Sequence, residues 1–179
     1  MKMIVKHEIL LLIISTFLVA CVNVTESVTG NHSVYLGDGR SNPSVRIAHV
    51  SYQQAYPEIV MYTMSLLGMP YTYGGSSRNS GFDCSGLVLN VYQNTVHISL
   101  PRTAREMANA GIPISKNQLK IGDLVFFNTT GQKYSHVGIY LGHDRFVHAP
   151  NVRSYVQIGY LNSPYWRKKF TGARTYFVK

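Results

Sequence analysis

The sequence predicts an α+β fold in which helices precede an antiparallel sheet. Two observations lead to this prediction. In the first half of the chain apolar residues recur at helical spacing, whereas from residue 124 onward they form short β-type runs separated by glycine-containing turns. Of the 179 residues, 45% are hydrophobic and 15 are glycine, which is typical of a packed domain and excludes a fibrous or disordered chain. The length leaves room for one ordinary domain.

Residues 1–20 have the pattern of a secretory signal peptide, in which Lys2 and Lys6 precede an apolar run over 9–18. The run is shorter than the roughly 20 apolar residues that span a bilayer. The small residue Ala20 before Cys21 resembles the lipobox of bacterial lipoproteins, which implies that Cys21 carries the lipid and becomes the N-terminus. The alternative is an ordinary cleaved signal with a free thiol nearby.

The resemblance to lipoproteins also predicts a location. Two acyl chains hold a protein stably on a membrane, so a lipid on Cys21 implies a permanent membrane anchor. Val22 follows the cysteine in place of Asp, which resembles the default outer-membrane sorting signal of two-membrane bacteria. We therefore expect a protein of the cell envelope, anchored by lipid to the outer membrane and facing the periplasm.

Residues 21–50 are predicted to be a lipidated tether, and residues 51–179 the folded domain. The first segment is rich in Asn, Ser, Thr and Gly and shows no sustained period. As a flexible chain it would let the domain sample distances on the order of tens of ångströms from the anchor.

Helices are predicted over 56–67, 83–92 and 103–110, with a loop over 70–81 between the first two. The first helix is expected to end at Gly68 and the third at Gly111. In the second helix Asp83 is a good N-cap, which puts Cys84 in the first turn. There the free backbone N–H groups and the positive end of the helix dipole favour a thiolate.

Strands are predicted over 124–127, 136–141, 145–148, 155–158 and 174–178. If Leu141 pairs with Arg145 across a three-residue loop, Gly138 lies opposite His148. In that register His136 and His148 are diagonal neighbours on one face of the sheet. A register slipped by one residue would send the two rings to opposite faces.

These residues form a chemical constellation. A lone cysteine is more often a small buried core residue, and a lone histidine a surface or core ring. A cysteine at a helix start, followed along the chain by His136 and then His148, instead indicates a Cys-His-polar triad with Cys84 as nucleophile.

Five motifs stand in order at 82–88 (FDCSGLV), 100–103 (LPRT), 122–127 (GDLVFF), 136–140 (HVGIY) and 146–149 (FVHA). Together they resemble the NlpC family of papain-like cell-wall peptidases, and the segment 165–174 resembles its lipoprotein branch. The resemblance implies a papain-like domain in which Cys84 is the nucleophile, His136 the proton acceptor and His148 the group that orients His136. Tyr71 matches the family tyrosine beside the oxyanion position. Because the loop to Cys84 is about one residue longer than expected, Tyr73 is the alternative.

The same resemblance implies a thiol endopeptidase that cuts peptidoglycan peptides at γ-D-glutamyl or D-alanyl bonds to diaminopimelic acid, and it leaves the choice between these bonds open. One alternative is a papain-like acyltransferase that moves the acyl group to another acceptor, and another is a catalytically silent lipoprotein that binds wall peptides. Arg102 is interpreted as a surface arginine at a helix start.

The net charge and the remaining histidines limit which substrates, nucleic acids or metals the protein is expected to bind. The formal charge is +9, and loss of residues 1–20 removes two lysines and one glutamate, which leaves a basic protein suited to stem peptides with free carboxylates. Nucleic acid is not favoured, because Lys and Arg cluster only at 167–169. No metal or other cofactor is expected, since His32, His49, His97 and His143 lack ligand partners at suitable spacing.

Overall fold

The computed structural model describes residues 33–35, 41–46 and 52–177. Its helices are α1 (Tyr52–Met64), α2 (Cys84–Thr95), α3 (Ala104–Ala110) and α4 (Pro164–Lys169). Its strands are β1 (Ser33–Tyr35), β2 (Ser41–Arg46), β3 (Ser76–Ser77), β4 (Gly81–Phe82), β5 (Ile112–Ile114), β6 (Leu124–Phe127), β7 (His136–Gly142), β8 (Arg145–His148), β9 (Gln157–Tyr160) and β10 (Phe170–Thr175). Helices α1, α2 and α3 precede all six strands of the largest sheet, β5 to β10, and α4 lies between β9 and β10, so the α+β prediction is confirmed.

Six strands form one antiparallel sheet in the order β5-β10-β6-β7-β8-β9. One face of this sheet, including Phe126 and Ile139, packs in the main core with α2 side chains such as Leu87. The other face carries a second apolar cluster around Phe127 and Phe146, which α4 covers. Both faces of the central strands are therefore buried, and this explains their nearly continuous apolar sequences.

Several element bounds differ from the predictions. Helix α1 begins at Tyr52 and ends at Met64, and a turn leads from it to Gly68, whose φ is +81°. Strand β9 lies two residues later than predicted, and β10 begins four residues earlier. The sequence did not indicate β5, α4 or the small β3–β4 hairpin, because elements of two to six residues are too short to show a period.

The hairpin between β7 and β8 corrects one prediction and confirms another. Gly142 pairs with Arg145, so the loop has two residues rather than three. Its residues, His143 and Asp144, have φ of 51° and 57°, as in the type I′ turn that suits the twist of a hairpin. A bulge at Leu141 then restores the predicted register, in which Ile139 pairs with Val147. Gly138 therefore lies opposite His148 as predicted.

The N-terminal predictions fall mostly outside the described residues, which include neither the predicted signal peptide nor Cys21. Within the predicted tether, β1 and β2 pair antiparallel. Across the part of the chain that the structure describes, no helix combines the length and the apolar character needed to cross a membrane.

Candidate active site

The N-terminus of α2 is capped as the sequence predicts. The Asp83 carboxylate accepts a hydrogen bond from the backbone N–H of Gly86 at 2.6 Å, and Cys84 is the first residue of the helix. A carboxylate at this position satisfies an otherwise unpaired helical N–H and complements the helix dipole. The cap therefore fixes the direction in which the first turn presents Cys84.

The same carboxylate joins three segments of the chain. It accepts the backbone N–H of Gly74 at 3.0 Å and the hydroxyl of Ser85 at 3.1 Å. Arg102 donates to it through Nη2 at 2.7 Å and Nη1 at 3.2 Å. Burial opposes its ionisation, but the hydrogen bonds from Arg102, Gly86 and Ser85 outweigh burial and lower the pKa of Asp83. Arg102 is exposed, as expected of a surface arginine at a helix start, and it also forms an ion pair with Asp83.

Close packing of backbone against backbone completes this end of the helix. A Cβ on Gly86 would lie 2.0 Å from the carbonyl oxygen of Gly75. That oxygen accepts the backbone N–H of Asp83 at 3.0 Å. Only glycine fits at position 86 while this hydrogen bond is made, so the residues DCSG act as one structural unit.

The Cys84 thiol lies at the start of β7. The backbone N–H groups of Val137, the residue after His136, and of Ser85 and Cys84 favour the ionised sulfur. Burial is the largest influence and raises the pKa of the Cys84 thiol, even though these N–H groups lower it. The N–H groups at the helix start thus favour a thiolate as expected, but burial outweighs them. A base is required to ionise this thiol near neutral pH.

His136 and His148 point to the same face of the sheet and meet directly. Nε2 of His136 lies 2.9 Å from Nδ1 of His148, and the two residues are 3% and 1% exposed. Burial lowers the pKa of His136 to about 4, and burial together with the neighbouring ring lowers the pKa of His148 further. A side chain at Gly138 would come within 2.7 Å of Phe146 and crowd His148. Both rings are thus neutral and fixed in orientation.

Trp166 on α4 covers this pair, and sequence reasoning missed it. Its ring stacks on His136 at 5.6 Å between centroids and 21° between planes, and meets His148 edge-on at 4.8 Å. Phe127 and Phe146 close the remaining sides. The one available signal was that Trp166 is the only tryptophan of the chain and lies among basic residues. The aromatic cover explains why the imidazoles are desolvated.

The two candidate tyrosines differ in exposure. Tyr71 is half-buried, and burial followed by the charges of Cys84 and Asp83 raises its pKa. Tyr73 is 87% exposed. The lower exposure favours Tyr71, and its place beside the reacting carbonyl stays a prediction.

Among the described residues, no group of three or more His, Cys, Asp or Glu side chains is placed to hold a metal ion. His97 and His143 both have left-handed backbone conformations, with φ of 55° and 51°.

Comparison with known proteins adds to this geometry. Residues 68–175 match the model of the NlpC/P60 family. Murein DD-endopeptidase MepH of Escherichia coli K12 is 39% identical over 147 residues, which cover 80% of this chain and 54% of that protein. A probable endopeptidase of Haemophilus influenzae is 36% identical over 162 residues, which cover 89% of this chain and 91% of that protein.

A solved structure has the same fold. The crystal structure of an NlpC/P60 family protein from Bacillus cereus superposes with a TM-score of 0.64 at 31% identity, over 73% of this chain and 42% of that protein. The papain-like α+β prediction is confirmed by this similarity. The chain spans about half the length of MepH and less than half of the Bacillus cereus protein.

We predict that Arg102→Met lowers the free energy of unfolding by about 1 kcal/mol at pH 7, because the Asp83 carboxylate loses its charged partner while the side chain of Arg102 is partly solvated. The pKa of Asp83 is lowered in the folded protein, so the contribution exists above the unfolded pKa of 3.8 and disappears as the pH falls through the folded value. Urea unfolding of both proteins from pH 7 to pH 3 measures the difference.

The control is the same substitution made in an Asp83→Asn background, where no carboxylate remains to be paired. There Arg102→Met should change stability little. An equal loss in both backgrounds, or a loss independent of pH, would contradict the ion pair as the cause.

Proposed function

Because the chain belongs to the NlpC/P60 family, we propose that it is a cysteine endopeptidase that hydrolyses amide bonds in the peptides of the bacterial cell wall. The observation that carries this proposal is the hydrogen bond between His136 and His148, where His136 is on the strand that begins beside the partly buried Cys84. The bond occupies Nε2 of His136, which leaves Nδ1 as the nitrogen that can serve the sulfur. Three side chains are thus arranged as nucleophile, base and orienting group.

The hydrogen bond also fixes where the protons are. For Nδ1 of His136 to accept the thiol proton it must be unprotonated, so Nε2 carries the hydrogen and donates it to Nδ1 of His148. His148 must then remain a neutral acceptor when His136 becomes charged. Its strongly lowered pKa, caused by burial and by the charge of His136, ensures this. His148 therefore stabilises the imidazolium without taking its proton.

The reaction follows from this arrangement. His136 takes the proton of Cys84, and the sulfur attacks the carbonyl carbon of the substrate amide. The oxyanion that forms is stabilised by the backbone N–H of Cys84 at the start of α2 and by the hydroxyl of Tyr71. His136 then gives its proton to the leaving amine, and the C–N bond breaks. Water, activated by the same ring, hydrolyses the thioester and restores the thiol.

The substrate is proposed to be the stem peptide or the crosslink of peptidoglycan, cut at a bond that involves diaminopimelic acid. The similarity to a murein DD-endopeptidase supports a wall peptide. The basic charge of the chain suits stems that carry several free carboxylates. A place in the cell envelope follows from the substrate, and the proposed lipid on Cys21 would anchor the enzyme to the outer membrane, facing the periplasm.

We expect Cys84→Ala to abolish the release of peptides from purified wall sacculi, because no other group replaces the sulfur as nucleophile. His136→Ala should do the same, and His148→Ala should lower kcat by at least about 100-fold through loss of the orienting hydrogen bond. The measurement is digestion of sacculi followed by mass spectrometry of the soluble fragments, which also identifies the bond that is cut.

The outcomes separate the rival functions. Identical fragments from wild type and Cys84→Ala would reject a thiol peptidase. If the wild type binds sacculi and releases nothing, the protein is a silent wall-binding lipoprotein. If fragments carry a new acyl acceptor in place of water, it is an acyltransferase. Tyr160→Ala, an exposed tyrosine on β9, is the control and should digest sacculi like wild type.

Trp166→Ala is expected to move the acid limb of the kcat/KM profile to higher pH. Burial under Trp166 lowers the pKa of His136 to about 4, so the neutral base persists in mildly acidic solution. Removing the indole admits water, which raises this pKa toward its ordinary value near 6.5 and protonates the base earlier as pH falls. Trp166→Phe keeps an aromatic cover and should resemble wild type. A uniform loss of activity with an unmoved limb would count against shielding.

For the anchor, we predict that Cys21→Ser moves the protein from the membrane fraction to the soluble fraction of cells, because the thiol that would carry the lipid is gone. The control is Cys84→Ser, which should stay with the membrane. Immunoblots of fractionated cells measure both, and membrane association that survives Cys21→Ser would refute a lipid on this residue.

A further inference from the structure

The loop over residues 128–135, which leads from β6 into His136, contains an unusual backbone conformation. Tyr134 has φ of 60°, in the left-handed region that bulky side chains rarely adopt. Such a conformation is unfavourable and persists only where surrounding contacts impose it, and it is often found at functional sites. Tyr134 lies two residues before the proposed base.

Two cations and an aromatic ring hold Tyr134. Arg174 lies over its ring, with Cζ 5.3 Å from the centroid, and donates through Nη2 to the hydroxyl at 3.1 Å. Lys133 Nζ lies 4.7 Å from the same centroid. Phe126 packs edge-on against the ring at 5.7 Å. Lys133, Tyr134 and Arg174 are called the tyrosine clamp below.

The clamp is attached to the rigid part of the domain through Arg174. Its Nε donates to the carbonyl of Ala108 in α3 at 2.5 Å, and Nη1 donates to the carbonyl of Ala173 in β10 at 2.8 Å. Nε, Nη1 and Nη2 of Arg174 therefore all donate hydrogen bonds. The forked guanidinium of arginine allows this, whereas the single ammonium group of lysine does not. A second link, from Arg105 of α3 to Gln132, ties the same loop. The loop is therefore positioned by α3 and β10 and not by its own sequence alone.

We propose that the tyrosine clamp positions His136, by fixing the backbone at Tyr134 so that the chain enters β7 with the imidazole between the thiol of Cys84 and the ring of His148. This inference rests on the proposed function. Tyr134 and Arg174 are positioning residues, because they contact the loop and not the sulfur or the two imidazoles. The chain direction at Tyr134 acts together with the pairing of His136 with Phe127 to set where the His136 Cβ lies. A displacement of about 1 Å at a base can cost about 100-fold in rate.

The test compares three variants with wild type. Tyr134→Gly keeps the left-handed backbone accessible but removes the ring, Tyr134→Phe removes only the hydroxyl, and Arg174→Met removes the cation and its donors. For Tyr134→Gly and Arg174→Met we expect kcat on a soluble wall peptide to fall by about 10- to 100-fold with KM unchanged. The kcat of Tyr134→Phe should stay within about threefold of the wild-type value, because this variant keeps the contacts of the ring.

A second readout reports on the thiol directly. The rate of Cys84 alkylation by iodoacetamide depends on pH through proton transfer to His136. When His136 is misplaced the sulfur must ionise unaided, so the midpoint of the profile should move to higher pH in Tyr134→Gly and Arg174→Met. A merely structural role would lower the melting temperature and leave this midpoint unchanged.

The matched control is the other arginine–tyrosine pair of the domain's described part, in which Arg78 lies 5.6 Å over the ring of Tyr62 on α1. Arg78→Met should leave kcat and the alkylation midpoint as in wild type. Tyr134→Gly relieves backbone strain, so it is expected to fold, and Arg174→Met tests the same clamp if it does not. Wild-type kcat and an unmoved midpoint in whichever of these variants folds would overturn the inference.

Failure of the proposed function would give different experimental results from failure of the tyrosine clamp. If wild type releases no peptide, the peptidase proposal fails, yet the alkylation profiles still test whether the clamp places His136 beside Cys84. If wild type is active and Tyr134→Gly matches it, only the clamp is rejected.

Discussion

The carboxylate of Asp83 is the constraint on which the site depends. It is one group that receives donors from the loop before the helix, from the first turn of α2 and from Arg102, which precedes α3. Because the proposed nucleophile, Cys84, is the next residue, any movement among these segments would move the sulfur. A charged acceptor suits this position, since a carboxylate forms stronger hydrogen bonds to a guanidinium than a neutral acceptor does.

Much of this organisation could be predicted from sequence because it is local. The cap at Asp83, the position of Cys84 in the first turn and the end of α3 at Gly111 all follow from residues within one helical turn. The opposition of Gly138 and His148 also followed from a short hairpin. The predicted loop length was nevertheless wrong. The turn type depends on the backbone angles of His143 and Asp144, and these residue types do not require the angles observed.

The rest depends on tertiary contacts that no periodicity encodes. Trp166 reaches the histidines only because β10 returns beside β6, and Arg102 meets Asp83 across 19 positions of sequence. Such contacts determine the protonation states of the thiol and of the two imidazoles. The helix dipole favours a thiolate at Cys84, yet the burial produced by the whole fold outweighs it and leaves a neutral thiol. Local sequence thus indicated which groups react, while packing determines their protonation.

The bulge at Leu141 has an evolutionary consequence. A two-residue turn and one extra residue in β7 together leave β7 and β8 in the same phase that a three-residue turn without a bulge would produce. A deletion of the bulged residue could therefore be offset by an insertion at the tip, and the histidine pair would stay aligned. The outer end of the hairpin can thus exchange its bulge for a longer turn while the facing imidazoles keep their alignment.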